Sequence, residues 1–373
     1  MNPVLRKIFI SIPWFHPAFR AGGPIQSVYN LVDQMQGAFD FYIFTGDKDL
    51  DGSLLSGVRR NAWVQFNSST KVYYAEKENR SNKLMQEIKD LKPHRVFVIG
   101  LFDWYFNIVP MLYSPVPCIV SVRGMLHGGA LTQKSWKKKI FIGLFNLFGL
   151  NHKHLFHATD ANEEREIKNA LGTDAKVFIA GNFPRAVHFI EKSKAADVLE
   201  LITVALISPM KNHLKVILSL QQVKAKVNYH IYGPVKDPAY WHLCVAEKAK
   251  LPANVDMIYH GEIQPQLIPS VLGKGDLFIM PSVSENYAHS IVEALFAGLP
   301  VITSNNVPWQ NLGEAKAGIN VENDLTSLSK AIDRFAAMSD AEFQQWKKGA
   351  RDYAVRSTNV AEVYAAHTSM FES

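Results

Sequence analysis

The sequence predicts an α/β protein built from two Rossmann-like domains. Three observations lead there. Short apolar runs alternate with segments of helical periodicity along most of the chain, and a polar stretch at 186–200 interrupts the alternation before it restarts. The chain has 373 residues, 47% hydrophobic and 20% charged, more than one ordinary core organises and with little room for disorder. Strands that alternate with helices form parallel sheets covered on both faces, and two such series make two domains.

The first series opens with the strand IFISI (8–12), a Pro/Gly-rich loop and the helix IQSVYNLVDQM (25–35), in which Ile25, Val28, Leu31, Val32 and Met35 form one apolar face. Further apolar runs follow at FYIFT (41–45), KVYYA (71–75), RVFVIG (95–100) and CIVSV (118–122), with a helix over 82–91. LFHATDANEEREIKNALG (155–172) passes from strand to helix, with acidic residues in the early turns and Gly172 as its stop. Beyond the polar stretch come LITVALI (201–207), a helix over 213–223, NYHIYG (228–233), a helix over 239–250, VDMIYHG (255–261), DLFIMP (276–281) and GLPVITS (298–304). The domains fall at 1–185 and 186–350. The last segment, 351–373, belongs to a helical stretch (341–367) expected to return to the N-terminal domain on Trp346, Tyr353, Ala354 and Val363.

Composition excludes several classes. Two cysteines, Cys118 and Cys244, stand far apart in apolar surroundings with no C-x-x-C pairing, which fits a reducing, cytoplasmic setting. No run approaches the length of a membrane-spanning helix, and the apolar run before Pro13 is short for a signal peptide. The net charge of +6 suits anionic ligands or surfaces without choosing among them, and no nucleic-acid motif accompanies it. Part of it lies in QKSWKKKIFIGLFNLF, where Lys134, Lys137, Lys138 and Lys139 adjoin aromatic residues. There, Ile140, Leu144, Leu147 and Phe148 are expected to face the core. The lysines are expected to give weak, salt-sensitive contact with an anionic membrane.

The stretch MPSVSENYAHSIVEALFAGLPVI carries the most chemistry. In a parallel α/β domain ligands bind beyond the carboxyl ends of the strands, which places Glu285 in that crevice. The following helix starts near Ala288 or His289 and ends before Gly298 and Pro300. Its amino end suits an anion, and Glu293, one turn in, leans towards that end. Carboxylates accept hydrogen bonds from hydroxyls, so a ligand combining phosphates with vicinal hydroxyls fits: a nucleoside diphosphate sugar. The bland alternative is a surface Glu293 and an ordinary loop Glu285.

SENYAHSIVEALFAGLPVITSNNVPWQNL closely resembles the E-x7-E region of retaining glycosyltransferases of group 1, or family 4, in particular bacterial members that build surface polysaccharides. SIPWFHPAFRAGGPIQSVYNL, SVRGMLHGGALTQKSWKKK, HATDANEER, ISPMKN, IYGP, HGEI and AGINVE match in the expected order. The resemblance implies the GT-B architecture, two facing Rossmann-like domains with a cleft and a C-terminal helix crossing back. It also implies transfer of a sugar from a nucleoside diphosphate to an acceptor hydroxyl with retention, without metal or cofactor. The acceptor is expected to be a saccharide, lipid-linked in many such enzymes.

By the same resemblance Glu285 lies by the donor sugar, Glu293 binds the ribose, and the backbone of Asn286, Tyr287, Ala288 and His289 holds the diphosphate. Lys211 neutralises the leaving group. Leu206 stands where the family usually has an arginine, and Ala288 where a glycine is common. Arg123 replaces a histidine, with His127 as a nearby substitute. Gly22 and Gly23 belong to a loop over donor and acceptor, and His16 and Arg20 in that loop are acceptor-side candidates.

Other motifs fail. DKDLDG (47–52) opens like a calcium loop but has Val58 at the twelfth position, and no metal is expected there. His152, His154 and His157 lack partners at metal-ligand spacing and read as packing. Neither G-x-S-x-G nor a P-loop occurs. An epimerase on the same architecture stays open, as does a non-catalytic nucleotide-sugar-binding protein, suggested by Leu206. A dehydrogenase is weakened by the absent glycine fingerprint.

Overall fold

A computed structural model describes residues 5–78, 80–126, 135–185, 187 and 198–373, except for the side chains of Ser135, Lys137 and Lys138. The chain divides into two compact units, one of residues 1–183 with 360–373 and one of residues 184–359.

In the first unit the order is β1 (Lys7–Ser11), α1 (Gly23–Gln34), β2 (Asp40–Gly46), β3 (Trp63–Asn67), β4 (Thr70–Ala75), α2 (Arg80–Leu91), β5 (Arg95–Ile99), α3 (Val109–Tyr113) and β6 (Cys118–Ser121). Then come α4 (Ser135–Leu147), α5 (Leu150–Lys153), β7 (Leu155–Ala158), α6 (Ala161–Leu171) and β8 (Lys176–Ile179). They form one sheet in the order β3-β4-β2-β1-β5-β6-β7-β8. All pairs are parallel except β3 with β4, so the expected all-parallel sheet has an antiparallel edge strand. A tight turn joins those two strands, and such a turn imposes antiparallel pairing.

Helix α6 shows how local chemistry sets an element. The Asp160 carboxylate accepts hydrogen bonds from the backbone N–H groups of Asn162 and Glu163, capping the first turn. Asp160→Ala should lower unfolding stability by about 1 kcal/mol in denaturant titration, and an unchanged midpoint would show the cap to be idle.

One correction concerns α4. Ile140, Leu144, Leu147 and Phe148 are exposed rather than turned to the core. Phe141 and Phe145 take the inner side, with Phe141 edge-on to Phe102 and Phe145 edge-on to Phe156.

The second unit contains β9 (Leu199–Val204), α7 (His213–Leu220), β10 (Val227–Tyr232), α8 (Pro238–Lys248), β11 (Val255–Tyr259), α9 (Ile268–Leu272) and β12 (Leu277–Met280). They are followed by α10 (His289–Phe296), β13 (Val301–Ser304), β14 (Gly318–Val321), α11 (Leu325–Ala336) and α12 (Asp340–Ser357). The sheet is parallel in the order β11-β10-β9-β12-β13-β14. Connections run outward from β9 on one side and from β12 on the other. The topological switch point therefore lies between these two strands.

The C-terminal stretch is two helices, not one. Helix α12 ends at Ser357, where Thr358 leaves helical geometry, and α13 (Val360–Glu372) follows in the first unit. Trp346 and Ala354 are buried in the second unit's core, with Tyr353 packed beside them. Val363 and Phe371 pack in the first unit, with Phe371 against Phe39, Phe41 and Phe97. The unit boundary near 360 replaces the expected one at 351 because α12 keeps its apolar face in the second unit.

Candidate active site

The loops leaving the two strands at the switch point bring Lys211 and Glu285 together. Lys211 ends a short 3-10 turn after β9, and its Nζ donates to Glu285 Oε1 at 2.5 Å from the loop after β12. Both side chains are largely but not fully buried. Backbone bonding ties the loops to each other, with Val283 N–H donating to Met210 O. Asn212, in the left-handed conformation with φ 63°, donates through Nδ2 to Pro281 O and to Asn323 Oδ1. Asparagine tolerates that backbone geometry better than most residues.

Helix α10 starts on the same side of the sheet. Its N-cap is Ala288, with φ 62° and no side-chain cap, so the family's glycine is replaced by a residue in left-handed geometry. The ring of Tyr287 packs against His289 and Trp309, and Trp309 Nε1–H donates to Tyr287 O. The Tyr287 hydroxyl is buried, with no hydrogen-bond partner among the described residues. Burial raises its pKa, and the charge of Glu293 adds to the rise.

Glu293 is 3% exposed, not a surface residue. Burial pushes its carboxyl up to about 7, while the nearby Arg185 guanidinium, 3.7 Å away, pulls the other way. Arg185 also donates to Pro265 O at 2.7 Å. His213, at the first turn of α7, is buried, and burial with the Lys211 charge pushes it down to about 3. It therefore adds bulk and no charge near neutral pH. Leu206 is half-buried and supplies no charge.

The remaining candidates lie in the first unit. Gly22 holds φ 77° at the N-cap of α1, a geometry that needs glycine, and a Cβ on Gly23 would meet nothing within 4 Å. The His16 ring packs against Tyr29 and Phe66. The Arg20 guanidinium pairs with Asp51 at 3.1 Å and lies 3.8 Å from Asp49, whose carboxylate accepts from the backbone N–H of Phe19 and Arg20. The DKDLDG segment thus fastens the loop that carries Arg20. Arg123 has φ 52° and donates to Asn182 Oδ1 at 2.6 Å. Burial pushes Arg123 down to about 10, with Glu163 opposing. His127 lies outside the described residues. His154 and His157 are buried and bonded to backbone carbonyls of Met111 and Ala180.

Sequence reasoning missed Arg185 and Trp309. Arg185 is far from Glu293 along the chain and carries no spacing signal, while Trp309 follows Pro308 in a loop with no periodicity.

Residues 184–353 match the family described as glycosyl transferases group 1. The chain carries a group 1 glycosyl transferase domain. That domain spans nearly the whole second unit and contains Arg185, Lys211, Glu285 and Glu293. Among solved structures, the chain resembles sucrose-phosphate synthase from Thermosynechococcus elongatus at TM-score 0.75 and 14% identity, covering 98% of each chain. Anabaena HepE in complex with UDP and glucose gives TM-score 0.75 and 14% identity, over 98% of this chain and 99% of that one. WaaG, a glycosyltransferase involved in lipopolysaccharide biosynthesis, gives TM-score 0.66 and 11% identity, over 98% and 99%. At these identities the likeness establishes the GT-B type of fold. No curated protein matches the sequence.

Proposed function

We propose that this chain transfers a hexosyl group from a nucleoside diphosphate sugar to an acceptor saccharide hydroxyl, with retention at the anomeric carbon, in cell-surface polysaccharide or glycolipid assembly. The observation that carries the reading is the Lys211–Glu285 pair at the switch point, beside an uncapped helix start and a buried Glu293. HepE, bound to UDP-glucose, supports the donor class for this chain.

In the reaction, negative charge grows on the departing diphosphate. Lys211 and the amino end of α10 stabilise it by preorganised electrostatics, with no metal ion required. Glu285 accepts from sugar hydroxyls, and Glu293 from the ribose. The acceptor is lipid-linked, and the enzyme works at the cytoplasmic face of a membrane. Among the described residues no helix is long and apolar enough to cross one.

A panel of labelled nucleotide sugars tests the reading. Transfer or slow hydrolysis that persists in EDTA, with product anomers of unchanged configuration by NMR, is the expected result. Inverted product or chelator-sensitive turnover would overturn retention or metal independence respectively. Leu206 leaves the phosphate loop one cation short of the family pattern, which favours silent binding as the second reading. Binding with neither transfer nor hydrolysis would establish it.

A further inference from the structure

A buried carboxylate is ordinarily held by hydrogen bonds, because water no longer supplies them. Glu293, 3% exposed, is held differently. Its ion-pair partner among the described residues is Arg185, whose Nη1 stands 3.7 Å from Glu293 Oε1, beyond hydrogen-bond length. The same Nη1 donates to Pro265 O at 2.7 Å, which anchors the cation on the loop between β11 and α9. Arg185 thus balances the Glu293 charge from a fixed distance without using up its oxygens. No other described residue hydrogen-bonds to them.

A ribose presents two adjacent hydroxyl protons, and only an ionised carboxylate offers two acceptor oxygens with no proton of its own. Burial works against that form, raising the carboxyl to about 7, and Arg185 is the group that opposes it. Tyr287 is the other titratable group whose charge is felt between the two, and burial pushes its hydroxyl up, so it stays neutral near pH 7. Arg185 arrives from the first residues of the second unit, not from the loops that hold Lys211 and Glu285.

We propose that Arg185 is a positioning residue of the donor site, set on the Pro265 carbonyl so that its charge keeps Glu293 ready to accept from both hydroxyls of a ribose. The inference rests on Glu293 as the ribose acceptor. Donor binding should then strengthen as pH rises through about 7, at a midpoint that Arg185 controls.

Two measurements on the full chain test it, with Arg185→Gln, Arg185→Lys and Glu293→Gln. The first is denaturant unfolding without ligand. The stability gained by Glu293→Gln should grow with pH and level off above about 7, whereas in an Arg185→Gln background it should keep growing to about pH 8 or beyond. The second is titration with a nucleoside diphosphate sugar. A shift of about one pH unit makes Arg185→Gln bind roughly fivefold more weakly at pH 7 and nearly as well as wild type at pH 9. Arg185→Lys, which keeps the charge, should restore most of the affinity. Any pH dependence that survives in Glu293→Gln belongs to His289 or other groups and is subtracted. A loss of equal size at every pH, or an unfolding window left unmoved by Arg185→Gln, would make Arg185 a structural strut and overturn the proposal. A window that moves while nucleotide-sugar affinity does not follow it would also overturn it, and would trace the failure to the ribose role of Glu293 rather than to the ion pair.

Discussion

Lys211→Ala should lower turnover by roughly a hundredfold or more, about 3 kcal/mol of transition-state stabilisation, while substrate affinity changes much less. The reason is the timing of charge. Before reaction the ammonium already has a partner, Glu285, at 2.5 Å. As the sugar–phosphate bond breaks, the leaving oxygens gain charge and compete for the same protons. In the proposed role Lys211 would then stabilise the transition state more than the ground state, an effect expected in kcat rather than KM.

The pairing adds a second consequence. Removing Lys211 leaves Glu285 as an unneutralised carboxylate in a mostly buried loop, where it repels the anionic leaving group. A Lys211→Ala, Glu285→Gln double variant should therefore lose less than the product of the single losses, a coupling measurable by a double-mutant cycle. Glu285→Ala alone should lower turnover more than binding. A Lys211→Ala enzyme with unchanged kcat would make Lys211 a structural partner of Glu285 and nothing more.

Much of this site is legible in the sequence because strand, loop and helix follow one another there without interruption. The eight-residue spacing of Glu285 and Glu293 places one carboxylate on the loop and the other a turn inside α10, as observed. Depth of burial is not legible that way. Glu293 lies on a helix whose neighbours Val292, Ala294 and Leu295 are all buried, so the helix is covered on every side near it. A carboxylate at such a position needs a cation, and Arg185 comes from the start of the unit, outside any local pattern.

Helix α4 fails for a different reason. Both of its faces are apolar, and periodicity locates faces without saying which meets the core. The break between α12 and α13 carries no glycine or proline at Thr358 or Asn359 to announce it. Thr358 leaves helical geometry while its Oγ1 and backbone N–H both donate to Ala354 O.

The largest stability effect is expected at Glu293. Its carboxyl is raised from 4.5 to about 7 by burial, against the pull of Arg185. Between those two values the folded protein holds a proton that the unfolded chain has released. Stability therefore falls as pH rises through this window, because the unfolded state binds fewer protons there. Below 4.5 both states are protonated and above 7 neither is, so the slope is confined to the window. At about 1.4 kcal/mol per pH unit the total is on the order of 3 kcal/mol. Glu293→Gln keeps the shape and removes the titration, though Arg185 then loses its ion-pair partner and retains only the Pro265 carbonyl. The variant should be close to wild type at pH 4.5 and more stable by about 3 kcal/mol at pH 8, the pull of Arg185 being already contained in the shift, while binding nucleotide donors more weakly. Such a gain in stability with a loss in affinity is the signature of a residue kept for its ligand. Denaturant unfolding from pH 4.5 to 8, paired with donor titration, reads both effects. A stability difference that does not grow with pH would mean that the Glu293 carboxyl titrates in its ordinary range and that Arg185 fully compensates its burial.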